Sequence, residues 1–348
     1  MPMDYALLKK LTAIDGLPSW EDDIRAAIRE ELEGHVDSMR TDRLGNVIAV
    51  KNEKADGPHI GLSAHMDEVG LIVKKIEKSG LIKFGAWGVL PKTLLSKTVR
   101  IGKEQVPGVI GAKPIHLQKP SERETVLDID SIYIDIGATS KEDAEKYVGP
   151  GDYIALDGEF RELAEFKIKA KALDDRLGCA AIIEVLRSDT PKKLTAVFCV
   201  QEEVGLRGSA TAANQIFADL VINVEGTVCA DSEDIDEHLR VTTHGLGPAL
   251  SIIDRTSVYL KKYYDKMIET ANSEGIPIQF RRSGASGTDA RSYHQAHGGT
   301  PVIGIAVPCR YIHTPVSMCD RRDYENLVAL LKAFIGNYGI AGHARNGT

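Results

Sequence analysis

The spacing of apolar residues changes character along the chain. Leu7, Leu8 and Leu11, then Ile24, Ile28 and Leu32, recur near the helical period, so helices are expected over residues 4–14 and 21–34. Ser19 stands where it could cap the second. Apolar runs at 45–50 and 60–64 read as strands, and the latter leads directly into His65-Met66-Asp67-Glu68. From about Val69 to Leu163 the rhythm is one of brief β-rich pieces (71–76, 82–84, 98–101, 106–110, 131–136, 153–155) between Gly, Pro and Asp turns. One helix is expected there, at 141–147, with Ser140 as its N-cap. Many short strands at this spacing predict a small β-barrel or sandwich.

After Phe166 strands and helices alternate. Helices are read at 176–186, 208–217, 257–273, 289–297 and 322–338, and strands at 194–201, 220–224, 249–253, 277–280 and 302–307. This alternation argues for an α/β fold with a mixed, largely parallel sheet and helices on both faces. The expected organisation is a discontinuous α/β domain, residues 1–69 and 164–348, interrupted by a β-rich insert at 70–163. Residues 342–348 are expected to fray.

Composition narrows the class. Lys and Arg number 43 against 50 Asp and Glu, a net charge of −7 without long runs of one sign, so no nucleic-acid patch is expected. No apolar run approaches the ~20 residues of a membrane span, and the polar N-terminus does not read as a signal peptide. The 5 cysteines form no Cys-x-x-Cys pair and sit mostly in apolar runs, as reduced core residues do. The reading is a cytoplasmic protein without membrane or nucleic-acid partners.

The informative chemistry lies between Lys171 and Gly205. Asp174-Asp175 opens an apolar helix, and Glu202-Glu203 closes the next apolar strand. Strand ends are where an open sheet keeps its ligand crevice. Carboxylates crowd together only around a cation or a shared proton. His65 after one strand, Glu225 after another and His313 in a late loop complete a candidate set: His65, Asp174, Glu203, Glu225 and His313. Two imidazoles and three carboxylates suit zinc, cobalt or manganese, and suit a pair of ions better than one. Each residue has a plainer reading. Asp174 and Asp175 could cap a helix, Glu202-Glu203 could be a solvated pair, His65 could be a capped strand end, and His313 could be a loop His satisfied by the backbone. Their joint occurrence at strand ends favours the metal reading, and a lone buried Glu225 would be costly. Two metals lower the pKa of a water. Glu202, beside a ligand, is the candidate general base, and Asp67 is placed to tune His65.

The motifs SAHMDEVG, KALDDRLGC, VQEEVGLRGS, SGTDA and RYIHTP, in that order over nearly the whole chain, resemble the tetrahedral (TET) family of dinuclear metallo-aminopeptidases, which includes glutamyl and leucyl aminopeptidases. The resemblance implies a zinc-exopeptidase-like fold and two divalent ions per subunit, held by those five residues, with Asp174 bridging through a cis peptide to Asp175. It implies Glu202 as general base, Asp175 and Asp289 near the substrate, and short peptides as substrates. It also implies a PDZ-like insert that drives dimerisation, and dimers that assemble into a tetrahedral homododecamer. Many members carry Asp where Glu225 stands. The acidic segment 230–240 reads as a substrate-entrance wall or a solvated loop, and His116 resembles a position near a subunit contact. A metal-dependent amidohydrolase or deacylase, a glucanase, and a non-catalytic assembly protein are the alternatives. Side-chain preference is not legible.

Overall fold

The computed structural model describes residues 5–124, 127–282 and 286–339. Residue 4, read into the first helix, and the tail 342–348 lie outside the described residues. A mixed sheet runs through the larger part of the molecule in the order Ser38–Thr41, Val47–Lys51, Lys193–Cys199, His59–His65, Leu220–Val228, Val302–Arg310, Ser317–Asp320, Lys167–Ala170, Arg161–Leu163. Ala249–Ser251 joins it against Val302–Arg310 and pairs in turn with Gln279–Arg281.

The expectation of a largely parallel sheet needs correction. Parallel pairing holds Lys193–Cys199, His59–His65, Leu220–Val228 and Val302–Arg310 together at the centre, and also joins Ala249–Ser251 to Gln279–Arg281. The flanks are antiparallel. Connection length explains the difference. Ser38–Thr41 and Val47–Lys51, or Arg161–Leu163 and Lys167–Ala170, are separated by links of a few residues. Such links allow a hairpin and cannot make the crossover that parallel neighbours require.

Side-chain alternation sends the central strands to two cores. Leu194, Ala196 and Phe198 pack with Ile60, Leu62, Leu220 and Ile222 under Leu173–Arg187 and Arg321–Asn337. Val197, Cys199 and Val221 point the other way, onto Ala212, Ala290 and Tyr293 of the short helices Arg207–Ala212 and Ala290–Gln295. Helices thus cover both faces. Leu173–Arg187 is buried nearly all round, because Ala6–Ala13, Asp22–Leu32 and Arg321–Asn337 close over it.

The β-rich stretch forms a closed barrel of Gly70–Ile76, Ile82–Trp87, Ile132–Asp135, Val106–Ala112, Thr98–Ile101 and Tyr153–Leu156. It encloses its own core, including Leu71, Phe84, Ile110, Ile134 and Ile154. Closure leaves no sheet edge, which suits strands this short. Ser140 caps the helix Lys141–Ala144 by accepting from the Asp143 N–H at 3.2 Å. The same does not hold for Ser19: helix Asp22–Leu32 starts after Glu21, and Ser19 adopts a positive φ of 74° in the turn before it. Arg161–Leu163, read into the end of the insert, pairs with Lys167–Ala170 of the large sheet.

Candidate metal centre

Parallel register carries the chemistry to one end of the sheet. His65 ends its strand beside Cys199, so the segment after Cys199 brings Glu202 and Glu203 to the His65 side. Glu225 sits in Leu220–Val228, which also pairs with His59–His65. Asp174 and Asp175 precede the regular turns of Leu173–Arg187, have non-helical dihedrals and are joined by a cis peptide. Gly226 permits the close approach, since a Cβ there would lie 3.0 Å from the Asp174 carboxylate. The non-glycine residues Ala172, Gln201, Tyr311 and His313 all have positive φ. Each bends the backbone sharply at a ligand or two residues before one, at a cost of about 1–2 kcal/mol apiece.

The five candidate ligands converge as two groups that share one residue. His65 Nε2 lies 3.4 Å from Asp174 Oδ1 and 3.5 Å from Glu225 Oε2. His313 Nε2 lies 3.5 Å from Asp174 Oδ2 and 3.4 Å from Glu203 Oε1. Within each group the ligating atoms lie within 4.8 Å of one another. Asp174 therefore turns one oxygen to each group. Asp174 Oδ1 and Glu203 Oε1 are buried and lack a hydrogen-bond partner among the described residues. Burial pushes Glu225 up to about 8 and Glu203 up to about 7, with neighbouring carboxylates adding to the rise. Burial also raises Glu202 well above the usual range, helped by Glu225, Asp289 and Glu203. Against burial, which alone would raise it, the two imidazoles hold Asp174 low. Buried oxygens without a hydrogen-bond donor, among carboxylates whose crowding disfavours their charged forms, are a donor set that divalent cations would satisfy. The donor set, imidazole and carboxylate only, fits a pair of borderline divalent ions.

The surrounding residues fix the ligands. Asp67 is fully buried and accepts the backbone N–H of Glu202 at 2.9 Å and of Glu203 at 3.1 Å. Its backbone carbonyl lies 3.0 Å from His65 Nδ1, which leaves Nε2 free to face the group. Asn223 donates to Glu225 Oε1 at 2.8 Å. A cavity of about 470 Å³ opens on the centre, lined by His65, Asp174, Glu202, Glu225 and His313 on one side.

Residues 45–330 match the family described as M42 glutamyl aminopeptidase. The chain belongs to the M42 glutamyl aminopeptidase family. It is 32% identical to the lysyl aminopeptidase of Pyrococcus furiosus over 96% of this chain and 97% of that one. The crystal structure of a TET aminopeptidase from the archaeon Thaumarchaeota SCGC AB-539-E09 superposes with a TM-score of 0.92 at 32% identity, covering 96% of each chain. The TET1 peptidase of Pyrococcus horikoshii, described as able to assemble into a tetrahedron or a large octahedral shell, matches with a TM-score of 0.83 at 30% identity, over 95% of this chain and 98% of that one. The mixed α/β fold is thus that of an aminopeptidase, a peptide hydrolase of a metal-dependent family.

Other residues singled out in this M42 sequence stand apart from the cavity. Asp175 is fully buried and accepts from His65 N at 3.2 Å and Gly178 N at 2.9 Å. It is the helix cap, and it also holds the His65 backbone, so its contacts are structural. Asp289 is fully buried with neither oxygen partnered among the described residues, and burial raises it to about 6. Neither residue lines the cavity. In the acidic segment 230–240, Asp231 pairs with Arg310 at the root of the His313 loop, while Ser232, Glu233, Asp234 and residues 236–239 are exposed. His116 is exposed on the barrel between the exposed Ile115 and Leu117. No helix among the described residues is long and apolar enough to cross a membrane.

Two contributors escaped the sequence. Glu68 is buried under the ligand loop and receives Lys171 Nζ at 2.6 Å and Gly16 N at 3.1 Å. This clamp joins the loop after His65 to the segment that leads into Asp174. Arg281 lines the cavity from a short strand. Glu68 was visible only as the last letter of His65-Met66-Asp67-Glu68, and Arg281 had no local signal.

Proposed function

We propose that this protein is a dinuclear metallo-aminopeptidase that removes N-terminal residues from short peptides in the cytoplasm. The single observation that carries the reading is Asp174, whose two oxygens face two separate histidine–carboxylate groups. His65, Asp174 and Glu225 would hold one ion, and Asp174, Glu203 and His313 the other. Zinc or cobalt suits both, with manganese the next choice. Bound there, such ions supply Lewis acidity and a water acidic enough to react near neutral pH. Glu202 lines the cavity and belongs to neither of the two groups that Asp174 joins, but its carboxylate lies close to His65 and Glu203, one from each. It takes the proton of the attacking water and returns it to the departing amine nitrogen. Asp67 keeps Glu202 and Glu203 in place through their backbone N–H groups.

The test is Glu202→Gln. Its metal content, by elemental analysis, stays that of the wild type, while turnover falls by about 10²–10⁴; near-normal turnover removes Glu202 as base. An N-acyl amidohydrolase would use the same centre, and a panel of aminoacyl anilides against N-acyl amino acids separates the two. A glucanase has no use for the two histidines, and a non-catalytic assembly protein none for the whole centre.

The resemblance and the assembling relative support a further element of the reading. Residues 1–69 and 164–348, with Arg161–Leu163 added to their sheet, form the catalytic unit, and the rest of the insert at 70–163, PDZ-like by resemblance, pairs subunits into dimers that build a tetrahedral homododecamer. Light scattering checks this, and a persistent monomer contradicts it.

A further inference from the structure

Another group of ligand-type side chains lies away from the cavity. Cys229, Asp231 and His244 each offer one atom, and these atoms lie within 4.8 Å of one another. None of these residues lines the cavity, and the proposed hydrolysis uses none of them. Cys229 directly follows Leu220–Val228, and its N–H donates to Cys309 O of the neighbouring strand at 2.9 Å. Asp231 accepts the His244 N–H at 3.1 Å, which draws together the ends of the segment carrying most of the acidic stretch 230–240. On either side of His244, Thr243 N donates to Gln279 Oε1 at 2.9 Å and Gly245 N to Asp323 Oδ2 at 2.8 Å. Backbone hydrogen bonds thus hold the cluster in place.

The His244 ring points to a ligand. It is 9% exposed, and neither Nδ1 nor Nε2 has a hydrogen-bond partner among the described residues. A buried polar ring left in that state is costly. Burial, and then Lys167, lower it to about 4, so the imidazole is neutral and one nitrogen keeps a lone pair to give. The Cys229 thiol donates to Thr242 O at a long 3.5 Å. Arg310 donates from Nε to Asp231 Oδ1 at 2.5 Å and from Nη2 to Oδ2 at 2.8 Å. With the His244 N–H, these bonds take all but one of the roughly four acceptor sites of a carboxylate. The cations nearby are already paired, Arg310 with Asp231, and Lys167 and Arg322 with Asp320.

We infer that Cys229, Asp231 and His244 form a further metal site, separate from the dinuclear centre, which takes a zinc-class ion through a thiolate, an imidazole and a carboxylate, with water completing a tetrahedron. Binding makes the metal–sulfur bond as the thiol gives its proton to solvent, with no change of oxidation state. Magnesium and calcium are poor partners for sulfur and do not fill it. The ion's place is structural. It fastens the acidic segment at both ends beside Arg310, which leads into His313 three residues on.

The experiment strips the full chain of metal and reloads it with cobalt, whose bond to a thiolate gives an intense charge-transfer band in the near ultraviolet. The ligand groups of the dinuclear centre contain no sulfur, so the band reports the new site whether or not that centre fills as proposed. The wild type shows the band, loses it when zinc displaces cobalt, and binds one ion more per chain than Cys229→Ser or His244→Leu by elemental analysis. Both variants lack the band and keep wild-type turnover on an aminoacyl anilide. A wild type without the band overturns the inference, because Arg310 then holds Asp231 against the ion. A band that survives in Cys229→Ser overturns it too, since another cysteine would be the ligand. So does a band of full strength and unchanged cobalt affinity in His244→Leu. Should either variant fail to fold, alkylation of Cys229 in the wild type, mapped by mass spectrometry, decides: zinc slows it, and an unchanged rate overturns the inference.

Discussion

Asp67→Asn isolates what holds the two glutamates at the centre. The wild-type carboxylate accepts Glu202 N–H on one oxygen at 2.9 Å and Glu203 N–H on the other at 3.1 Å, in a fully buried setting. Asparagine has one oxygen and one NH₂. Whichever way it is placed, an NH₂ meets a backbone N–H that needs an acceptor. The variant loses one charge-assisted hydrogen bond, worth about 1.5–3 kcal/mol, and orphans a buried donor at about 1–3 kcal/mol more. The sum, about 2.5–6 kcal/mol, either destabilises the fold or moves the Glu202–Glu203 turn. The turn is the softer of the two, because Gln201 before it already sits at positive φ. Metal affinity therefore falls by about 10–100-fold, as for other residues that orient ligands, and turnover falls even at saturating metal because Glu202 shifts with Glu203. Competition against a calibrated chelator gives the affinity, and steady-state kinetics with excess metal gives the turnover. Wild-type affinity together with turnover within about twofold would refute the argument, since the carboxylate would then be dispensable to both.

The same geometry sets three further outcomes. Asp174→Ala removes the residue common to both groups, so both ions are lost together on dialysis; elemental analysis that finds one ion fully retained contradicts the sharing. Lys171→Met leaves Glu68 buried without its 2.6 Å partner, which costs about 3–5 kcal/mol and lowers the thermal midpoint; an unchanged midpoint shows the pair to be neutral. Glu21 is 2% exposed, its carboxyl accepts Gln201 N, and burial raises it from 4.5 to about 7. The folded state thus holds this proton more tightly than the unfolded chain, so its stabilising contribution is full below the unfolded pKa and is lost as pH rises through about 7. Between about pH 5 and 8 the wild type loses up to ~3 kcal/mol that Glu21→Gln does not lose. Thermal melts of both proteins check this, and parallel pH trends would sink it.

Much of the architecture was legible because it is local. Leu194, Ala196 and Phe198 alternate with Val197 and Cys199, and that period of two assigns a strand and its two faces without any neighbour. Ser140 three residues before Asp143 is a cap by spacing alone. The ligand types were legible for a related reason: His and carboxylates directly after apolar strands have few other uses. Long-range pairing was not legible. Hydrophobic alternation is the same for parallel and antiparallel strands, and so nothing in the flanking segments marked them as hairpins. Ser38–Thr41, with an exposed, polar pattern, owes its strand to pairing with Val47–Lys51 and had no apolar signal.

What the sequence by itself determined, then, is the inventory: which segments are helix or strand, and which side chains can bind divalent ions. Only the tertiary structure decided which oxygen of Asp174 faces which histidine, that Asp175 caps a helix, that Glu68 clamps Lys171, and that Arg281 lines the cavity. Periodicity is a property of neighbours along the chain. Distance and dielectric at a site depend on segments far apart along the chain, and no short window of sequence contains them.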